Sequence, residues 1–86
     1  MTSKTREEKL QELQDELYKN IKTYKESHFN TAKAYYNLAM AYKNSGRYIE
    51  AKNNFSEALE IYKTYNSNYD PEIMKIKKEL EKIENL

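Results

Sequence analysis

The chain has 86 residues, 38% of them apolar, with 15 basic and 14 acidic side chains and a net charge of +1. That length supports a single domain, 1–86, with a thin core, and the near-neutral charge excludes the strongly basic balance of a nucleic-acid binder. No apolar run approaches the ~20 residues of a membrane-spanning helix, the opening Met1-Thr-Ser-Lys-Thr-Arg-Glu-Glu-Lys lacks the apolar stretch of a secretory leader, the absence of cysteine excludes disulfide and thiolate chemistry, and one glycine and one proline are too few for the turns of an all-β fold.

Apolar residues recur at spacings of three and four, the period of a helix with one buried face. Leu10, Leu13, Leu17, Ile21 and Tyr24 form a first stripe, opened by Thr5 and Glu8 as a capping box. The second holds Ala32, Tyr35, Leu38, Ala39 and Tyr42 and ends at Asn44-Ser45-Gly46, where the glycine is suited to the left-handed conformation that closes a helix. Tyr48, Ala51, Phe55, Ala58, Leu59, Tyr62 and Tyr65 make the third, which gives way to a polar turn at Asn66-Ser67-Asn68. The fourth, Ile73, Ile76, Leu80 and Ile83, starts behind Asp70 as N-cap and Pro71 at the first helical position, with Glu72 complementing the helix dipole. The prediction is four antiparallel helices, 5–26, 30–45, 47–65 and 70–85, joined by short connections.

Residues 35–59 read Tyr35-x2-Leu38-Ala39-x2-Tyr42-x3-Gly46-x-Tyr48-x2-Ala51-x3-Phe55-x2-Ala58-Leu59. This resembles the tetratricopeptide repeat, a helix–turn–helix unit of ~34 residues, and one full unit spans Ala32 to Tyr65. Tyr35 stands in the tryptophan slot, and Lys63 replaces the closing proline. The small Ala39 and Ala51 suit a close helix crossing, which Tyr42, Phe55 and Tyr62 fill on either side. An offset of 41 carries Lys22-Thr23-Tyr24 onto Lys63-Thr64-Tyr65, and Ala32, Tyr35, Ala39 and Tyr42 onto Ile73, Ile76, Leu80 and Ile83. Helix 5–26 then matches the second helix of a unit and helix 70–85 the first. This longer period also resembles the ~42-residue repeats of kinesin light chain. The resemblance implies an all-α fold of antiparallel helical hairpins in a short right-handed solenoid. A half-repeat helix (5–26), a complete hairpin (30–65) and a capping helix (70–85) would follow one another.

Little in the chain points to catalysis. Its one histidine, His28, falls in a helix–helix turn, the carboxylates alternate with lysines, and no glycine-rich loop exists to cradle phosphate. No enzyme activity, cofactor or metal is expected. The resemblance implies instead a peptide-binding groove lined by the first helices of the units. On the second helix the slots facing that groove hold Lys33, Tyr36, Asn37, Met40, Lys43 and Asn44, and the offset adds Met74, Lys77, Lys78 and Glu81 on the fourth. An asparagine amide both donates and accepts, so Asn37 is the residue to hold a ligand main chain in register. Tyr36 and Met40 offer apolar contact, and Lys33, Lys43, Lys77 and Lys78 a positive rim suited to an acidic segment. Residues 28–48, which carry Lys33, Lys43 and Arg47, are the only long stretch of the chain free of carboxylates. The slots that clamp a chaperone's terminal carboxylate in the chaperone-tail binders of that family hold Tyr36 and Met40 here, so chaperone tails are not expected. A cytoplasmic protein–protein interaction module, without nucleic acid or membrane as partner, is the expected function. Two alternatives stay open: a self-associating structural helical unit, and a module of the microtubule-interacting-and-trafficking type that binds helical tails.

Overall fold

A computed structural model describes residues 5–25, 28–65 and 70–86. Among them lie four helices: α1 (Arg6–Tyr24), α2 (Phe29–Asn44), α3 (Tyr48–Tyr65) and α4 (Pro71–Glu84). Each bound falls within about a turn of the predicted one, as fraying ends allow. The polar turn expected at Asn66-Ser67-Asn68 and Glu26, at the expected end of the first helix, lie outside the described residues.

The helix starts follow from local chemistry. The Thr5 hydroxyl accepts from the Glu8 N–H and donates to the Glu8 carboxylate, both at 3.2 Å. Asp70 accepts from the Glu72 N–H at 2.9 Å, ahead of Pro71 in the first turn of α4. The cap of α2 is a residue the sequence does not advertise for that task. His28 accepts from the Asn30 N–H through Nδ1 at 3.0 Å and stacks on Tyr24, with ring centroids 4.7 Å apart. The α2–α3 reversal closes in a Schellman arrangement: the Arg47 N–H reaches the Tyr42 carbonyl at 2.9 Å and the Gly46 N–H the Lys43 carbonyl at 3.0 Å. Gly46 takes φ +77°, and nothing lies within 4 Å of where a Cβ would stand.

Four alanines, Ala32, Ala39, Ala51 and Ala58, are fully buried and let the helix backbones approach. Phe55 fills the space beside them, also fully buried, with Tyr42, Ile61 and Tyr62 around it. Leu10 brings α1 into this core, while Ile73 and Ile76 bring α4. Burying an isoleucine side chain stabilises by about 1.5–3 kcal/mol, and Leu80 and Ile83 of α4 pack against the same core.

Side-chain pairs give the directions of the helices. Phe29 meets Tyr62 and Tyr36 meets Phe55, so α2 and α3 run antiparallel. Leu10 of α1 lies beside Asn44, and Asn20 beside Asn30, so α1 and α2 are antiparallel too. Lys52 pairs with Glu84 at 3.1 Å, and Tyr62 lies near Glu72, which makes α3 and α4 antiparallel. It follows that α2 and α4 run parallel, both packed on α3.

Candidate functional site

A cleft of about 320 Å³ opens between the parallel helices α2 and α4. From α2 come Phe29, Lys33, Tyr36 and Asn37, at the three- and four-residue spacing that keeps them on one side of a helix. Tyr62 of α3 forms part of the floor, and Glu72 and Lys75 come from α4. The aromatic floor is locked by edge-to-face contacts, Phe29 on Tyr62 at 5.2 Å and Tyr36 on Phe55 at 5.8 Å between centroids. The Lys75 ammonium stands 5.9 Å from the centre of the Tyr36 ring. Burial pushes the Tyr62 phenol above its ordinary pKa, and the nearby carboxylates of Glu72 and Asp70 push it further, so Tyr62 stays a neutral hydrogen-bonding group.

Lys33, Tyr36 and Asn37 therefore come together, and Asn37 is exposed at the mouth. Met40 follows on the same side of α2 but is half-buried against the core. Lys43, a turn further, is tied across to Glu79 of α4 by an ion pair whose side chains are 26% and 14% exposed. This lysine holds the two helices together and depresses the Glu79 carboxyl below its ordinary range. Asn44 lies apart, in a small cleft with Arg6, Lys9 and Leu10 of α1. On α4, Lys78 sits with Pro71, Met74 and Lys75 on a shallow patch, whereas Lys77 and Glu81 are exposed and line none of these clefts.

Sequence reasoning missed Phe29, Tyr62, Glu72 and Lys75. For Phe29 the signal was present, because it precedes Lys33 by four residues on the same helix side. For Glu72 and Lys75 the offset of 41 misled: it assumes that α4 presents to the groove the side α2 presents. Two adjacent parallel helices meet through opposite sides. The counterparts of Glu72, Lys75 and Glu79 on α2 are Thr31, Ala34 and Leu38, all buried, and Ala34 lines the cleft against α1.

Among the described residues, no group of three His, Asp or Glu could hold a metal ion, and no helix is long and apolar enough to cross a membrane. A family model for the tetratricopeptide repeat matches residues 5–64. No curated protein and no solved structure gives a significant match. The matched span takes in α1, α2, the Gly46 reversal and nearly all of α3, the same helices whose alanine-mediated crossing builds the core, and the chain belongs to the tetratricopeptide repeat family.

Proposed function

We propose that the chain is a non-enzymatic protein–protein interaction module that holds a peptide segment of a partner protein in the cleft between α2 and α4. In this reading α1 is a half-repeat, α2 and α3 form the complete unit, and α4 is a C-terminal capping helix that supplies the far wall of the site. One observation carries the proposal: Asn37 is exposed at the mouth of an aromatic-floored cleft, between Lys33 on its own helix and Lys75 across the gap. The rings give apolar contact, the amide holds main chain, and the two ammonium groups favour an acidic segment. Lys78, further along α4, adds to the positive side. Against these stands the single carboxylate of Glu72 in the cleft. A cytoplasmic adaptor or scaffold role accords with such a site.

The test is titration with fluorescein-labelled dodecapeptides of matched length, one alternating glutamate with leucine and one alternating lysine with leucine. The acidic peptide is expected to bind saturably and the basic one not to bind. Asn37→Ala should weaken binding by about tenfold, the equivalent of ~1.4 kcal/mol, with the circular dichroism spectrum unchanged. Unchanged affinity in that variant would remove the cleft as the site.

A further inference from the structure

Two smaller clefts lie between α1 and α2. One, of about 160 Å³, is lined by Glu16 and Asn20 of α1 and by Asn30, Lys33, Ala34 and Asn37 of α2. The other, of about 180 Å³, is lined by Arg6, Lys9 and Leu10 of α1 and by Ala41, Asn44 and Ser45 of α2. Helical spacing joins them. Asn30, Ala34, Asn37, Ala41 and Ser45 follow one another at three and four residues on α2, and Arg6, Lys9, Leu13, Glu16 and Asn20 do so on α1. The two clefts are therefore the ends of one furrow. Leu13, half-buried, lies on α1 between them. Along α2 the furrow runs about 22 Å, at 1.5 Å per residue. The helix α4, 14 residues long, shows what such a furrow receives. It runs parallel to α2, packs on α3 and buries Ile73 and Ile76 completely. The α1/α2 furrow is the corresponding place on the other side of α2, with α1 in the position of α3, and none of the described helices fills it.

We infer that this furrow is a seat for one amphipathic helix of a partner protein, which lies parallel to α2 and covers α1 as α4 covers α3. The small Ala34 and Ala41 let its backbone approach closely, and a narrow stripe of leucine or isoleucine on the incoming helix lies against them and Leu13. The charges at the two ends of the furrow fix its direction. A helix parallel to α2 brings its N-terminus to Glu16 and its C-terminus to Arg6 and Lys9. The partial positive charge of the N-terminus then faces a carboxylate, and the partial negative charge of the C-terminus faces two cations. In the reverse direction all three encounters are repulsive. Asn30 and Asn44, at opposite ends, carry amides suited to the N–H and C=O groups that every helix leaves unpaired at its termini. A second copy of this chain does not supply the occupant, because the outer side of its α4 carries the exposed Lys77 and Glu81 where the seat takes apolar side chains.

The probe is an eighteen-residue helical peptide of alanine and glutamine with one stripe of leucines at three- and four-residue spacing. The control has the same composition with its leucines dispersed around the helix. In ¹H–¹⁵N spectra of the whole chain, the striped peptide should shift the amides of Leu13, Asn20, Ala34 and Ala41, and the control should shift none. A nitroxide on the peptide's N-terminus should broaden Glu16 and Asn30, and one on its C-terminus Arg6 and Ser45. Ala41→Glu sets a charge in the furrow and should weaken binding at least tenfold. Arg6→Glu with Lys9→Glu, both exposed, should weaken it about fivefold with the circular dichroism spectrum unchanged. Ala41 does not line the α2/α4 cleft, so Ala41→Glu should leave the acidic dodecapeptide's affinity as it is, which separates this seat from the first site. Shifts confined to the α2/α4 cleft, the reverse labelling pattern, or affinity unmoved by both variants would overturn the seat. Concentration-dependent shifts of the same amides without peptide would overturn the partner helix in favour of a second copy.

Discussion

Lys43 and Glu79 show how one residue's role depends on what lies across from it. From the sequence, Lys43 stands on the groove side of its helix and Glu79 in a charged run. The structure joins them between α2 and α4, largely shielded from water, while Lys82 adds a weaker contact to the same carboxylate at 3.5 Å. The pair contributes to holding α4, at about the upper end of an exposed ion pair, ~1 kcal/mol. Its pH dependence has a fixed sign. The hydrogen bond from Lys43 lowers the folded-state pKa of Glu79, against an opposing effect of burial that is outweighed. Its stabilising share is therefore present above the ordinary carboxylate range, about pH 4.3, and is lost as pH falls through the lower folded value. Glu79→Gln should thus be less stable than the parent in urea at pH 7, and the difference should hold down to about pH 4.3 and narrow below it. A pH-independent gap would show that shape, and not charge, holds the pair. Thr31 makes the complementary point. It is fully buried, and its hydroxyl donates to the Lys25 carbonyl at 2.7 Å, anchoring the approach to α2. Nothing in the local pattern distinguishes it from an exposed threonine, because its partner belongs to the preceding turn.

At the scale of helices, the legible features are those decided within a few residues. Stripes at three and four, Thr5 and Asp70 as caps, and Gly46 at the reversal are local, and each is where the sequence puts it. The cap at His28 escaped because histidine is a rare N-cap whose ring nitrogen serves here as the acceptor. The sides through which α2 and α4 meet escaped because packing on α3 sets them, and no single helix contains that information. Gly46 allows the local part to be tested. The residue is in the left-handed region, with open space where a side chain would go, so Gly46→Ala incurs backbone strain and no clash. That strain is about 1–2 kcal/mol, and the Arg47 and Gly46 hydrogen bonds to α2 depend on the same conformation. Gly46→Ala should lower the unfolding free energy by about that amount, and Gly46→Asn by less, since asparagine tolerates the region better. Equal losses for alanine and asparagine would mean that something other than the dihedral angle sets the cost.

For the molecule as a whole, the question is what stops a repeat structure from stacking further. Repeat units are stabilised through neighbours, and terminal units need a polar outer face. The slots that α2 uses to receive α3 are Phe29 and Tyr36, which pack on Tyr62 and Phe55. The offset of 41 puts Asp70 and Lys77 in those slots on α4, and Gln14 on α1 where α3 has Phe55. Asp70 is engaged as a cap, Lys77 is exposed, and Gln14 donates to the Tyr42 hydroxyl. In those slots neither outer edge carries the aromatic side chains by which α2 receives α3, and docking a further helix there would strip Lys77 of water. The chain should therefore melt at a temperature independent of its concentration from micromolar to millimolar, since association of the folded form would raise the midpoint with concentration. Restoring the slots should reverse this. Lys77→Tyr with Glu81→Met copies onto α4 the residues that α2 has at Tyr36 and Met40, and this variant should show a sedimentation mass that grows with concentration. A concentration-dependent midpoint in the parent chain would favour a self-associating structural unit, and an equally monomeric variant would show that more than these two slots keeps the edge from stacking.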